Sequence, residues 1–95
     1  MSYILAYDFG TGGIKASLYD ETGVCLADGF DAYPTLYPLP GFHEQRPEDW
    51  WRATVTSTRK LLASAPAEAA ERIAAIGLSG HSLGVVPIDA KGKLL

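Results

Sequence analysis

The sequence predicts one α/β domain whose mixed sheet receives its strands in the order β-β-β-α-β, and three observations carry this prediction. An apolar run at Tyr3–Phe9 is followed by a glycine-rich break and an alternating segment. A segment with helical periodicity follows Pro47. A second apolar run begins at Ile73, so a crossover connection would make it parallel to the first strand.

The first 30 residues predict three antiparallel strands joined by hairpins over residues 3–30. The apolar run at Tyr3–Phe9 carries apolar residues at both parities, which is typical of a central strand covered on both faces. Residues from Ile14 onward alternate between apolar and polar, as a second strand does. Asp20–Gly23 has turn chemistry, and Val24–Phe30 is the third predicted strand.

A proline-rich loop is predicted at 31–46 and a helix at 47–65. Pro47 suits the first helical position, and the acidic residues after it suit the positive end of the helix dipole. Helical spacing predicts a core-facing stripe made of Trp51, Val55, Thr58, Leu62 and Ala65. Two further strands are predicted at 73–78 and 85–88, the second entering a turn at 89–92.

Composition excludes several classes of function. With 95 residues the chain can form one small domain, and its net charge of −3 offers no basic stripe for nucleic acid. The single cysteine, Cys25, predicts no disulfide framework, so a reducing cytoplasm is expected. The N-terminal apolar run is too short to span a membrane and lacks the basic leader of a signal peptide.

The segment from Asp8 to Lys15 is the main candidate site. Gly10, Thr11, Gly12 and Gly13 separate the first two strands, and such a bend can turn backbone N–H groups and a hydroxyl toward a phosphate. An acidic residue beside a phosphate needs a cation, so Asp8 is a candidate magnesium ligand and Lys15 a candidate partner of the transferred phosphoryl group. A glycine-rich hairpin with a capping aspartate and a solvated lysine explains the same residues equally well. Neither a P-loop nor a dinucleotide fingerprint is present.

Three segments resemble a known family in order and spacing. The bend resembles the first phosphate motif of the actin-like ATPase superfamily in its sugar-kinase form. The stretch Gly41–Trp51 resembles the Gly-Trp-x-Glu-Gln-x-Pro-x-x-Trp-Trp motif of the FGGY carbohydrate kinases, with Phe42 in place of tryptophan. The stretch Ile73–Gly84 is similar to the segment that ends in Gly-x-Ser-Gly-Gln-Met-His-Gly in xylulose kinases. The resemblance covers essentially the whole chain.

This resemblance implies a ribonuclease-H-like, actin-like ATPase fold and ATP-dependent phosphorylation of a sugar or polyol with Mg²⁺. It implies that the phosphates lie on Gly10, Thr11, Gly12, Gly13 and Lys15, that Asp8 assists the metal, and that His81, Ser82 and Leu83 line the sugar side. The catalytic-base aspartate would follow Leu95 in a longer protein, a cytoplasmic enzyme compatible with a homodimer, and the 95-residue chain alone would be inactive. Since xylulose kinases carry glutamine, methionine and histidine where this chain has its His-Ser-Leu triplet, D-xylulose itself is disfavoured as the acceptor.

Two alternatives remain at this point. Gly80–Gly84 matches Gly-x-Ser-x-Gly, the nucleophile elbow of α/β-hydrolases, with Ser82 as the nucleophile of an esterase. A strand precedes it, but Pro87 lies where the following helix should form, and no histidine follows His81. The second alternative is a non-catalytic nucleotide-binding or interaction fragment whose sheet a partner completes.

Overall fold

The computed structural model describes residues 1–95 and contains one four-stranded sheet with one long helix against it. The elements are β1 (Tyr3–Phe9), β2 (Gly13–Asp20), β3 (Cys25–Ala32), α1 (Pro47–Ala63), a 3-10 helix (Ala69–Arg72) and β4 (Ile73–Ser79). The strand order is β3-β2-β1-β4. None of the helices has both the length and the apolar content needed to cross a membrane.

The pairing directions confirm the predicted mixed sheet. β1 and β2 form an antiparallel hairpin, β3 continues it on the far side of β2, and β4 pairs with β1 in parallel after the α1 crossover. In this register Asp8 lies opposite Lys15 on one side and opposite Ser79 on the other. Because paired residues point to the same face of a sheet, these three side chains share one face.

The core lies between α1 and one face of the sheet. Its buried apolar members are Tyr3, Leu5, Tyr7, Ile14, Ala16, Leu18, Tyr33, Ala53, Leu61 and Ala69. The expectation that β1 is covered on both faces is wrong for these 95 residues, since Ile4 on the other face is 39% exposed. Only one face is covered because residues 1–95 contain a single helix long enough to pack across strands.

Helix α1 begins at Pro47 as predicted and ends at Ala63, two residues before the predicted end. Its last turn tightens, because the N–H groups of Ser64 and Ala65 donate to carbonyls three residues back, and Pro66 cannot extend the helix.

The predicted core stripe of α1 is one residue out of phase. The buried residues are Asp49, Ala53, Ser57 and Leu61, whereas Trp51 is 70% exposed. Small side chains at 53 and 57 allow the helix axis to lie close to β2 and β3. The sequence prediction favoured the bulkier residues instead, because they carry more apolar area.

The strand predicted at 85–88 is not formed. Its backbone makes only an isolated antiparallel bridge, Ile88 with Leu94, around a turn in which the Asp89 carboxylate accepts the N–H groups of Lys91 and Lys93. Pro87 has no N–H to donate, and no neighbouring strand pairs with Val85 and Val86, so a regular ladder does not develop. Residues 80–87 are irregular.

Candidate functional site

The bend between β1 and β2 consists of residues 10–12, and the Gly10 N–H closes it by donating to the Gly13 carbonyl at 2.9 Å. None of its glycines has a positive φ. These glycines are therefore not needed for the left-handed backbone conformation. Either a side chain at these positions would clash with a neighbour, or it would block access to the backbone N–H groups.

Gly13 is required by packing. A Cβ at this position would lie 2.5 Å from the Asp31 carbonyl oxygen, 2.5 Å from Cζ of Phe30 and 2.9 Å from Cα of Ala32. Two of these atoms belong to the β3 backbone, so a side chain at Gly13 would push β3 away. Gly12, by contrast, would place a Cβ with nothing within 4 Å. The two neighbouring glycines thus have different structural roles.

Residues of the proline-rich loop donate hydrogen bonds to all three carbonyl groups of the bend. The Tyr33 hydroxyl donates to the Gly10 carbonyl, Gln45 Nε2 donates to the Thr11 carbonyl at 2.7 Å, and the Tyr33 N–H donates to the Gly12 carbonyl at 3.3 Å. The N–H groups of Thr11 and Gly12 make no hydrogen bond within the protein, and both residues are exposed. Successive free N–H groups in a bend of fixed conformation form a concavity that can bind an anion.

Asp8, Lys15 and Ser79 lie on neighbouring strands at the end of the sheet where the bend between β1 and β2 is. Ser79 Oγ donates to Asp8 Oδ1 at 3.1 Å, and Lys15 lies across the β1–β2 ladder from Asp8. These three residues line a shallow groove of about 210 Å³ with Ser17 and Tyr19. Oδ2 of Asp8 has no hydrogen bond within the protein, and Asp8 is exposed, so this oxygen is available to a ligand.

The donor set fits Mg²⁺ of the kind that is held mainly by water and phosphate. No group of three or more histidine, cysteine, aspartate or glutamate side chains is present, so these residues form no cage made of protein ligands alone. Mg²⁺ usually keeps several waters and takes one or two carboxylates together with substrate phosphates. The single available carboxylate of Asp8, two residues before the bend, matches that requirement.

Tyr33 is a site residue that sequence reasoning missed. It is buried, and burial raises the pKa of its hydroxyl above the ordinary value of 10.0, while the Asp8 carboxylate nearby raises it further. Tyr33 is therefore a neutral donor to the bend up to strongly alkaline pH. Its position two residues before Thr35 in the proline-rich loop gave no sequence signal other than an aromatic residue among prolines.

The structure does not bring together the three residues predicted for the sugar side. The His81 ring packs against the Trp50 indole with centroids 5.6 Å apart, which places His81 beside the start of α1. Ser82 is exposed and makes no side-chain hydrogen bond, and Leu83 is 92% exposed. The structure brings His81 to the same end of the sheet as the bend, while Ser82 and Leu83 point into solvent.

The hydrolase alternative lacks its required geometry. A nucleophile elbow needs a helix directly after the serine, and residues 84–87 are irregular. No histidine side chain hydrogen-bonds to Ser82. The structure therefore shows no contact between Ser82 and a candidate general base.

Comparison with known proteins gives one consistent result. Residues 3–95 match the family model described as the FGGY family of carbohydrate kinases, N-terminal domain. A glycerol kinase from Gloeobacter violaceus is 41% identical over 78 residues, covering 82% of this chain and 15% of the relative. A xylulose kinase from Bacillus subtilis is 30% identical over 95 residues, covering 100% of this chain and 19% of the relative.

A solved structure described as a xyloylose kinase from Brucella ovis superposes with a TM-score of 0.91 at 35% identity. The match covers 97% of this chain and 19% of that protein. The chain therefore spans less than a fifth of the length of each of these three proteins.

Proposed function

Because this chain belongs to the FGGY family of carbohydrate kinases, we propose that it supplies the first phosphate-binding hairpin of an enzyme that transfers the terminal phosphoryl group of ATP to a sugar or polyol hydroxyl. The chain spans less than a fifth of these relatives, and in this proposal the catalytic-base aspartate and the adenosine contacts lie outside residues 1–95.

One observation carries the proposal: the bend has its carbonyls fixed and two of its N–H groups free. The loop side takes the carbonyls of residues 10–12 through Tyr33 and Gln45, and this leaves the N–H groups of Thr11 and Gly12 for a ligand. A donor pair fixed before the ligand arrives loses little freedom on binding, which is how preorganised groups favour a developing negative charge.

The charged residues beside the bend have matching roles. Mg²⁺ held near Asp8 would neutralise charge on the transferring phosphates. Asp8 is oriented for this by the hydroxyl of Ser79, which occupies Oδ1 and leaves Oδ2 available. Lys15, opposite Asp8 in the ladder, faces the γ-phosphoryl group in this proposal and balances the negative charge that gathers there.

On the acceptor side, we assign the sugar or polyol to the segment 81–83. His81 is held against Trp50 at the end of the sheet where the bend lies, so its ring nitrogens can exchange hydrogen bonds with an acceptor hydroxyl. Ser82 supplies a free hydroxyl and Leu83 an apolar contact. A leucine where xylulose kinases carry histidine favours an acceptor with one fewer hydroxyl contact than xylulose makes.

The experiment compares Asp8→Ala with Asp28→Ala in the full-length kinase. Asp28 is an exposed carboxylate on the same sheet face, in β3, and pairs with Ser17 rather than with the bend. ATP-dependent phosphorylation is measured over a panel of pentuloses, hexuloses and polyols, and sugar binding is measured by calorimetry. Asp8→Ala should abolish turnover and retain sugar binding, while Asp28→Ala should retain both. Undiminished turnover in Asp8→Ala would remove Asp8 from the mechanism.

A further inference from the structure

The side chain of Gln45 occupies a junction between three parts of the fold. Its Nε2 donates to the Thr11 carbonyl at 2.7 Å and to the Thr35 hydroxyl at 2.9 Å, and its Oε1 accepts the indole N–H of Trp50 at 2.9 Å. Both amide hydrogens are thus used, and the carbonyl oxygen has a partner. The amide cannot be reversed, because its NH₂ group would then face the indole N–H, which is also a donor.

Gln45 connects the bend to the rigid helix. Thr11 lies in the bend, Thr35 lies in the proline-rich loop and Trp50 lies in the first turn of α1. Trp50 is half-buried and packs both against the core and against the His81 ring. The position of the Thr11 carbonyl is therefore set, through one amide, by an aromatic ring that is itself fixed by packing.

We propose that Gln45 is a positioning residue for the phosphate-binding bend, an inference that rests on the proposed function. By holding the Thr11 carbonyl on the loop side, Gln45 orients the peptide that carries the Gly12 N–H, because the two groups of a planar peptide unit point in opposite directions. The Thr11 carbonyl and the Gly12 N–H belong to one peptide unit. Fixing the first therefore aims the second at the ligand.

The deciding variant is Gln45→Glu in the full-length kinase. Glutamate has the same length and can still accept from the Trp50 indole, but its carboxylate has no N–H and repels the Thr11 carbonyl. The peptide between Thr11 and Gly12 then loses its anchor. We expect kcat/KM for ATP to fall by about tenfold to a hundredfold, the range that a displaced binding group produces. KM for the sugar should stay within about twofold, since the variant touches no residue of the segment 81–83.

Two further variants make the test specific. Trp50→Phe keeps an aromatic ring beside His81 and removes the indole N–H that donates to Gln45 Oε1, together with part of the indole's packing area. It should lower kcat/KM for ATP by about fivefold, the factor of one lost hydrogen bond. It also carries the test if Gln45→Glu does not fold. Glu48→Gln is the matched control, because Glu48 is exposed in the first turn of α1 and makes no side-chain hydrogen bond, and its kinetics should equal those of the unaltered protein.

The outcomes separate the two hypotheses. If the unaltered protein phosphorylates an acceptor and both folded variants retain their nucleotide kcat/KM, the positioning role of Gln45 is refuted and the proposed function stands. If thermal stability drops in Gln45→Glu while the kinetics for both substrates are unchanged, Gln45 is only a packing residue and the inference is again refuted. If the unaltered full-length protein phosphorylates no acceptor with ATP, the proposed function fails first and the inference fails with it.

Discussion

Replacing Gly13 with alanine tests whether packing fixes that position. The new Cβ would meet the Asp31 carbonyl oxygen and Phe30 Cζ at 2.5 Å each, whereas ordinary contacts begin near 3.4 Å. To restore them β3 must move by roughly 1 Å against a packed helix. Overpacking of this kind typically costs about 1 to 3 kcal/mol in the free energy of unfolding. Urea unfolding of the 95-residue chain, followed by circular dichroism, measures this loss.

Gly12→Ala is the matched control for this prediction. Its Cβ meets nothing within 4 Å and its φ is not positive, so the substitution only restricts the unfolded chain. It should be neutral or stabilise by up to about 1 kcal/mol. In a Phe30→Ala background, Gly13→Ala should reduce the free energy of unfolding by at least about 0.5 kcal/mol less than it does in the unaltered chain, since one of the two closest contacts is gone. Equal unfolding free energies for Gly13→Ala and Gly12→Ala would refute the packing argument.

Two further predictions concern pH. The folded-state pKa of Tyr33 is raised from 10.0, first by burial and then by Asp8, so its contribution to stability is complete below pH 10 and is lost as the pH rises through the raised value. The free energy of unfolding of Tyr33→Phe should fall less steeply with rising alkaline pH than that of the unaltered chain. Identical pH profiles for the two proteins would contradict this. The pKa of Asp20 is lowered from 3.8, first by the Thr22 hydroxyl and then by the Val24 N–H, so its contribution is complete above pH 3.8 and is lost in more acidic solution. The stability difference between the unaltered chain and Asp20→Asn should narrow below pH 3.8 in urea titrations, and a constant difference would contradict the assignment.

Local patterns were sufficient for most of the fold. The structure confirms the mixed sheet with its parallel β1–β4 pair. This sheet could be predicted because apolar runs, turn residues and a proline at the helix start are local signals. The family-model match over residues 3–95 confirms the family resemblance, which three motifs in the right order and spacing had indicated. The phase of α1 was wrong because periodicity weights side-chain size, whereas close packing on the sheet selected the small residues Ala53 and Ser57.

The sequence predicted candidate site residues but not the contacts that support them. Asp8 and Lys15 were predicted from the motif and stay predictions, whereas the position of Ser79 beside them needed the three-dimensional register. The contacts of Tyr33 and Gln45 with the bend span more than 20 positions of sequence and follow no spacing rule. Gln45 lay inside a recognised motif, yet nothing in the motif indicates which backbone carbonyl its amide reaches.

The parallel pairing of β1 with β4 affects the order in which the contacts around Asp8 form during folding. The three antiparallel strands are joined by short turns and can associate early, but Asp8 and Ser79 are 71 positions apart and meet only after the helical crossover has folded back. Closing so long a segment costs chain entropy before any contact rewards it, so such pairings belong to the slow part of folding. We therefore expect the bend between β1 and β2 to form before the Asp8 carboxylate acquires its hydrogen bond from Ser79.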